Sequence, residues 1–109
     1  MSDRRHRNRV ELRSIGTIDF GDRVVPCQVL DLSADGLAVV TPARALPLGP
    51  VRVRFQLGRR DAAWTEVDAV LRRRSAWAGV DSEAVWGLEI LDMDLGTRTR
   101  VRDYLLQAA

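Results

Sequence analysis

The alternation of apolar and polar residues along this 109-residue chain points to short strands. VRVRFQL, residues 51–57, is the cleanest run: Val51, Val53, Phe55 and Leu57 share one face, and Arg52, Arg54 and Gln56 the other. Val10 and Leu12 alternate with Glu11 and Arg13; the pattern slips near Gly16 and resumes at Ile18 and Phe20, ahead of a Gly21-Asp22 turn. Residues 23–33, RVVPCQVLDLS, form a second strand in which Pro26 marks an edge or a bulge. ADG at 34–36 turns into LAVV at 37–40, a short buried strand, and Pro42, Pro47, Gly49 and Pro50 punctuate a loop. In WTEVDAVLRRR, residues 64–74, Val67, Ala69 and Leu71 fall on one face and Glu66, Asp68, Arg72 and Arg74 on the other. A loop through Gly79 leads to VWGLEIL, residues 85–91, the last strand. Asp94 then offers an N-cap, and Leu95, Val101, Tyr104, Leu105 and Ala108 keep helical spacing over about 95–108.

Six short strands with no helices between them argue against a parallel α/β sheet. The expectation is a mainly all-β fold: a six-stranded antiparallel β-barrel whose closure protects its edges, with a C-terminal α-helix capping one end. Residues 1–9 have no periodicity and read as a flexible arginine-rich arm; residues 10–109 read as one domain.

Charge sharpens this division. The net charge is only +2, yet residues 1–13 carry five arginines against Asp3 and Glu11, while the remaining chain is slightly acidic. All 17 basic residues are arginine, a flat forked donor that pairs bidentately with phosphate or carboxylate and stacks on rings. No run approaches the ~20 apolar residues that span a bilayer. The basic N-terminus has no apolar stretch behind it, and the single Cys27 forms no internal disulfide. A cytoplasmic protein without membrane insertion is expected.

Catalytic constellations are missing. His6 is the sole histidine and Cys27 the sole cysteine, too few for a His-Cys metal cluster, and with His6 in a charged arm and Cys27 read as structural no Cys-His nucleophile pair is expected. Neither GxGxxG nor GxxxxGK[ST] occurs, and Asp92 and Asp94 are explained by a turn and a helix cap. The chain reads as a non-enzyme with no metal and no cofactor.

Two features remain: the arm RRHRNR at 4–9 and the turn DLSADG at 31–36. Alone, the first is a solvated tail and the second good turn chemistry, with Gly36 free to take a positive φ. Together they resemble the PilZ domain family, bacterial receptors for cyclic di-GMP. Arg4, Arg5 and Arg9 match that family's RxxxR loop with its preceding arginine, and Asp31, Ser33 and Gly36 match its [D/N]xSxxG motif. WGLEI, with Gly87, is similar to the family's last strand. The resemblance covers nearly the whole chain and implies the barrel-plus-helix fold.

It also implies a ligand, cyclic di-GMP, whose guanines offer O6 and N7 to a bidentate arginine and N1–H and N2–H to a carboxylate such as Asp31. Its phosphates suit arginine as well. Ser33, two residues on in an extended segment, would share Asp31's face and donate to a phosphate or carbonyl. Arg9 and Arg13 also read as RxxxR, but Arg13 lies inside the first strand, so Arg5 and Arg9 are preferred. The family's aromatic on the fifth strand is matched here by Arg72, with Arg74 on the same face; both are weaker candidates, as is Gly87. Binding would order the arm into a clamp read by a downstream protein partner. Two alternatives stand: a PilZ-like adaptor that binds protein in place of nucleotide, and a basic-armed barrel for single-stranded nucleic acid. The latter is disfavoured, since only six aromatics exist and Phe20, Phe55 and Tyr104 look core-facing. Whether the ligand enters as a monomer or a stacked dimer is open.

Overall fold

The computed structural model describes residues 9–42, 44, 46–58, 63–77 and 79–108. Among them run six strands, Val10–Asp19 (β1), Val24–Leu32 (β2), Gly36–Thr41 (β3), Val51–Phe55 (β4), Thr65–Trp77 (β5) and Val80–Asp92 (β6), and the helix Leu95–Ala108 (α1). The strands neighbour one another in the order β1-β2-β3-β6-β5-β4, every pair antiparallel, and the pairing of β4 with β1 closes a barrel.

β4 follows its binary pattern throughout. Val51, Val53 and Phe55 are buried, Arg52 and Arg54 are exposed, and Leu57 just beyond is buried too. Its inward residues join Ile18, Val29, Leu32, Leu37, Val39, Val67 and Trp86 in one core. Phe20 meets Trp86 edge-on at 6.0 Å, and the Arg23 guanidinium lies 4.8 Å from the Phe20 ring. Cys27 belongs to this core, and burial pushes its thiol up to about 12, so it stays protonated and inert.

The other strands depart from strict alternation at defined places. In β1 the irregularity falls between Glu11 and Ser14, not at Gly16, and Arg13 takes φ 56°. An extra residue in a ladder needs one residue out of the extended region, and Arg13 supplies it. Gly16 serves close approach instead: a Cβ there would stand 2.3 Å from the Arg54 carbonyl oxygen. In β2, Val29 and Leu32 both point inward, so Leu30 and Asp31 both fall on the outer side. Pro26 sits where β2 still pairs with β1 but has run past its ladder with β3, where a missing N–H is tolerated.

β5 and β6 are longer than their hydrophobic cores suggest. The expected strands ended at Arg74 and began at Val85, yet pairing continues to Trp77 and Val80 around Gly79, φ 77°. Apart from the buried Ala84, the residues of this extension whose burial is described are exposed or half-buried, which is why the apolar pattern under-measured both strands. The helix begins where expected: Thr97 N–H donates to Asp94 Oδ1 at 2.7 Å, and that bond holds the Asp94 carboxyl below the usual range. Thr97, Val101 and Leu105 are its buried residues, whereas Leu95 and Ala108, expected on the inner face, are exposed. Tyr104 lies against Gly58, so α1 covers one end of the barrel.

Candidate functional site

The β1–β2 hairpin sets the geometry. Val10 pairs with Leu32 and Glu11 with Asp31, so the residue entering β1 meets the end of β2. Arg9 Nη1 donates to Asp31 Oδ1 at 2.5 Å, a charge-assisted contact between a two-fifths-exposed arginine and a carboxylate about a quarter exposed. The phase shift at Leu30 makes this contact possible. Inward residues Val25, Cys27 and Val29 would otherwise carry Asp31 into the barrel, where an unpaired carboxylate is costly.

Ser33 and Gly36 are placed differently. Ser33 is 6% exposed, and its hydroxyl lies 3.0 Å from Asp35 Oδ1 and 3.3 Å from the Gly36 carbonyl. Ser33 N–H also donates to the Gly36 carbonyl at 2.8 Å. The expected common face with Asp31 is therefore replaced by a closed turn, because the strand ends at Leu32 and Ser33 bends inward to satisfy it. Gly36 is not among the positive-φ residues; its glycine character serves packing, since a Cβ would stand 2.9 Å from the Leu88 carbonyl oxygen. Ile90 N–H donates to the Asp35 carbonyl at 2.9 Å, tying the turn to β6.

Two grooves meet at Arg9. One, of about 510 Å³, is lined by Arg9, Glu11, Arg13, Gln28, Leu30, Asp31 and Trp77. The other, of about 580 Å³, joins Arg9 to Asp35, Gly36, Arg72, Arg73, Gly87 and Glu89. Arg72 Nε donates to Glu89 Oε1 at 2.6 Å, and Arg73 rests over Gly87. A register shift between Leu71 and Arg73 turns Arg72 and Arg73 outward together. Arg74 falls opposite Trp86, so, against expectation, it does not share the face of Arg72. Arg4 and Arg5 lie outside the described residues.

The groove linings include Arg73 and Trp77, which the sequence pattern does not single out. An uninterrupted triple of arginines hides which two share a face, because one bulge reassigns them. Trp77 stood beyond the point where the strand was ended. Its signal was available: a large aromatic closing a strand rich in arginine.

A family model, PilZ domain, matches residues 3–107. The chain belongs to the PilZ domain family. Solved PilZ structures share its fold. The inhibitor of motility MotI/DgrA of Bacillus subtilis superposes with a TM-score of 0.79 at 20% identity, over 97% of this chain and 51% of its own. The PilZ domain of Escherichia coli YcgR, solved with c-di-GMP, gives 0.70 at 15% identity, over 97% of this chain and 92% of its own. MrkH of K. pneumonia, in its apo state, gives 0.73 at 17%, over 99% and 51%. The chain spans about half the length of MotI/DgrA and MrkH. No curated protein matches it in sequence. Among the described residues no helix is long and apolar enough to cross a membrane, and no group of three or more His, Cys, Asp or Glu could hold a metal ion.

Proposed function

We propose that this PilZ domain is a receptor for cyclic di-GMP, held between the arginine arm and the outer face of the barrel. The observation that carries the reading is the Arg9–Asp31 pair at the junction of two grooves, one bearing Trp77 and the other Arg72 and Arg73. The c-di-GMP-bound PilZ domain of YcgR, on the same fold, supports it.

The pair is a preformed exchange site. Asp31 can give up the Arg9 guanidinium for the N1–H and N2–H donors of a guanine, and Arg9 can turn its fork to O6 and N7 or to a phosphate. Each charged group trades one partner for another, so neither is left unpaired by the exchange. Trp77 offers a face on which a base stacks, worth about 1–3 kcal/mol in comparable sites. Arg72 and Arg73 add positive charge where the second half of the ligand lies. Arg4 and Arg5 reach the ligand from the arm. Ser33 and Gly36 act by shaping the turn, since the serine hydroxyl is engaged within it. The protein binds and transmits; it performs no reaction and needs no cofactor.

Titration calorimetry of the full chain with cyclic di-GMP tests this. Saturable binding is expected, and Arg5→Ala with Arg9→Ala should abolish it. Absence of heat at micromolar protein, or binding undiminished in the double variant, overturns the proposal in favour of a protein-binding adaptor.

A further inference from the structure

A second concave surface lies across the turn from the grooves described above. Ala34, Met93, Val101, Leu105 and Leu106 line an apolar groove of about 220 Å³ between the β2–β3 turn and α1, with Arg98 and Arg102 on its lip. Leu106 is 70% exposed, and both arginines are exposed. Arg98, Arg102 and Leu106 are four residues apart, so they form one row along the helix. The nearest described carboxylate to Arg102 is its own neighbour Asp103, at 3.7 Å, a weak contact.

We infer that this groove is a docking site for an acidic amphipathic segment of a partner protein, its apolar side chain in the slot and its carboxylates on Arg98 and Arg102. Charge complementarity selects the occupant. The chain's own arm, with Arg4, Arg5 and Arg7 against Asp3, is repelled by that lip. Size argues for side chains over a bilayer: a cavity of about 150 Å³ takes one benzene-sized group, and this groove, at about 220 Å³, has room for only one or two apolar side chains. A membrane-seeking face would instead present a broad apolar stripe.

Position gives the groove a purpose. Ala34 stands between Ser33 and Asp35, so opposite sides of one four-residue turn line this groove and the one at Arg72. A ligand that shifts Asp35 or Gly36 shifts Ala34, and the effect on partner affinity is reciprocal. That coupling rests on the cyclic di-GMP reading; the groove itself does not.

The test follows backbone amide shifts of the isotope-labelled full chain during titration with a helical peptide bearing leucines at i and i+4 flanked by glutamates. A peptide with lysines for glutamates and phosphatidylglycerol vesicles serve as the contrasting probes. Shifts centred on Ala34, Met93, Val101, Leu105 and Leu106 are expected. Arg98→Glu with Arg102→Glu should weaken the peptide by about tenfold or more with unchanged circular dichroism, and Leu106→Ser should weaken it as well. No shifts, shifts elsewhere, equal binding of the lysine peptide, or binding of vesicles alone overturns the proposal. Adding cyclic di-GMP should change peptide affinity by about fivefold or more; no change overturns the coupling. A chain that takes the peptide but not the nucleotide overturns the receptor reading and leaves the groove standing, and the converse result overturns the groove alone.

Discussion

β2 and β4 flank β1 on either side, and they use their outer faces in opposite ways. β4 keeps perfect alternation, and its outward charges are engaged across the ladder: Arg52 with Asp68 and Arg54 with Glu66, each at 3.0 Å. β2 loses phase at Leu30, and Asp31 reaches past its own ladder to Arg9, twenty-two residues away. The regular strand neutralises its polar face against a neighbour and contributes to the fold. The bulged strand turns a carboxylate out to Arg9, the pair on which the proposed receptor reading rests. β5 combines the two: its register shift sets Arg72 and Arg73 side by side, while Arg72 pairs with Glu89 on the neighbouring strand.

The contrast can be broken by mutation. Phe55 is wholly buried in β4, so Phe55→Ala should cost about 3–5 kcal/mol in urea denaturation, the largest effect expected here. Gly36→Ala forces a Cβ toward the Leu88 carbonyl and should destabilise by about 1–3 kcal/mol while also weakening cyclic di-GMP, because turn and ladder shift together. Asp31→Ala should separate the two properties: stability changes by no more than about 1 kcal/mol, since Arg9 remains solvated, but calorimetric affinity falls more than about tenfold. A large stability loss with intact binding would make Asp31 a structural residue like those of β4. Arg54→Ala should be the mildest, under about 0.5 kcal/mol with unchanged ligand affinity, its partners Glu66 and the Trp64 ring being exposed.

Much of the fold was legible because burial imposes period two. The inward set of β4 and the cap at Asp94 follow from local chemistry, and the antiparallel class from six strand runs with no helix between them. That the end of the arm meets the end of β2 was legible too, since a hairpin joins residues equidistant from its turn, but the ion pair of Arg9 with Asp31 was not. Bulges were not. The slip near Gly16 belongs to Arg13, and the shared face of Arg72 and Arg74 dissolves at the Leu71–Arg73 shift. Inserting one residue in a strand leaves composition and local hydrophobicity almost unchanged while inverting every face beyond it.

The sequence by itself determined the elements, the core and the chemistry available at the two motifs, because these depend on nearest neighbours and on periodicity. Only the tertiary structure decided which charged side chains share a groove. The β3–β6 pairing and the long β5–β6 hairpin bring Arg72, Arg73 and Trp77 to the outer face at Arg9, and register shifts choose which residues point there. Closure of the barrel is a property of all six strands at once, and no single segment encodes it.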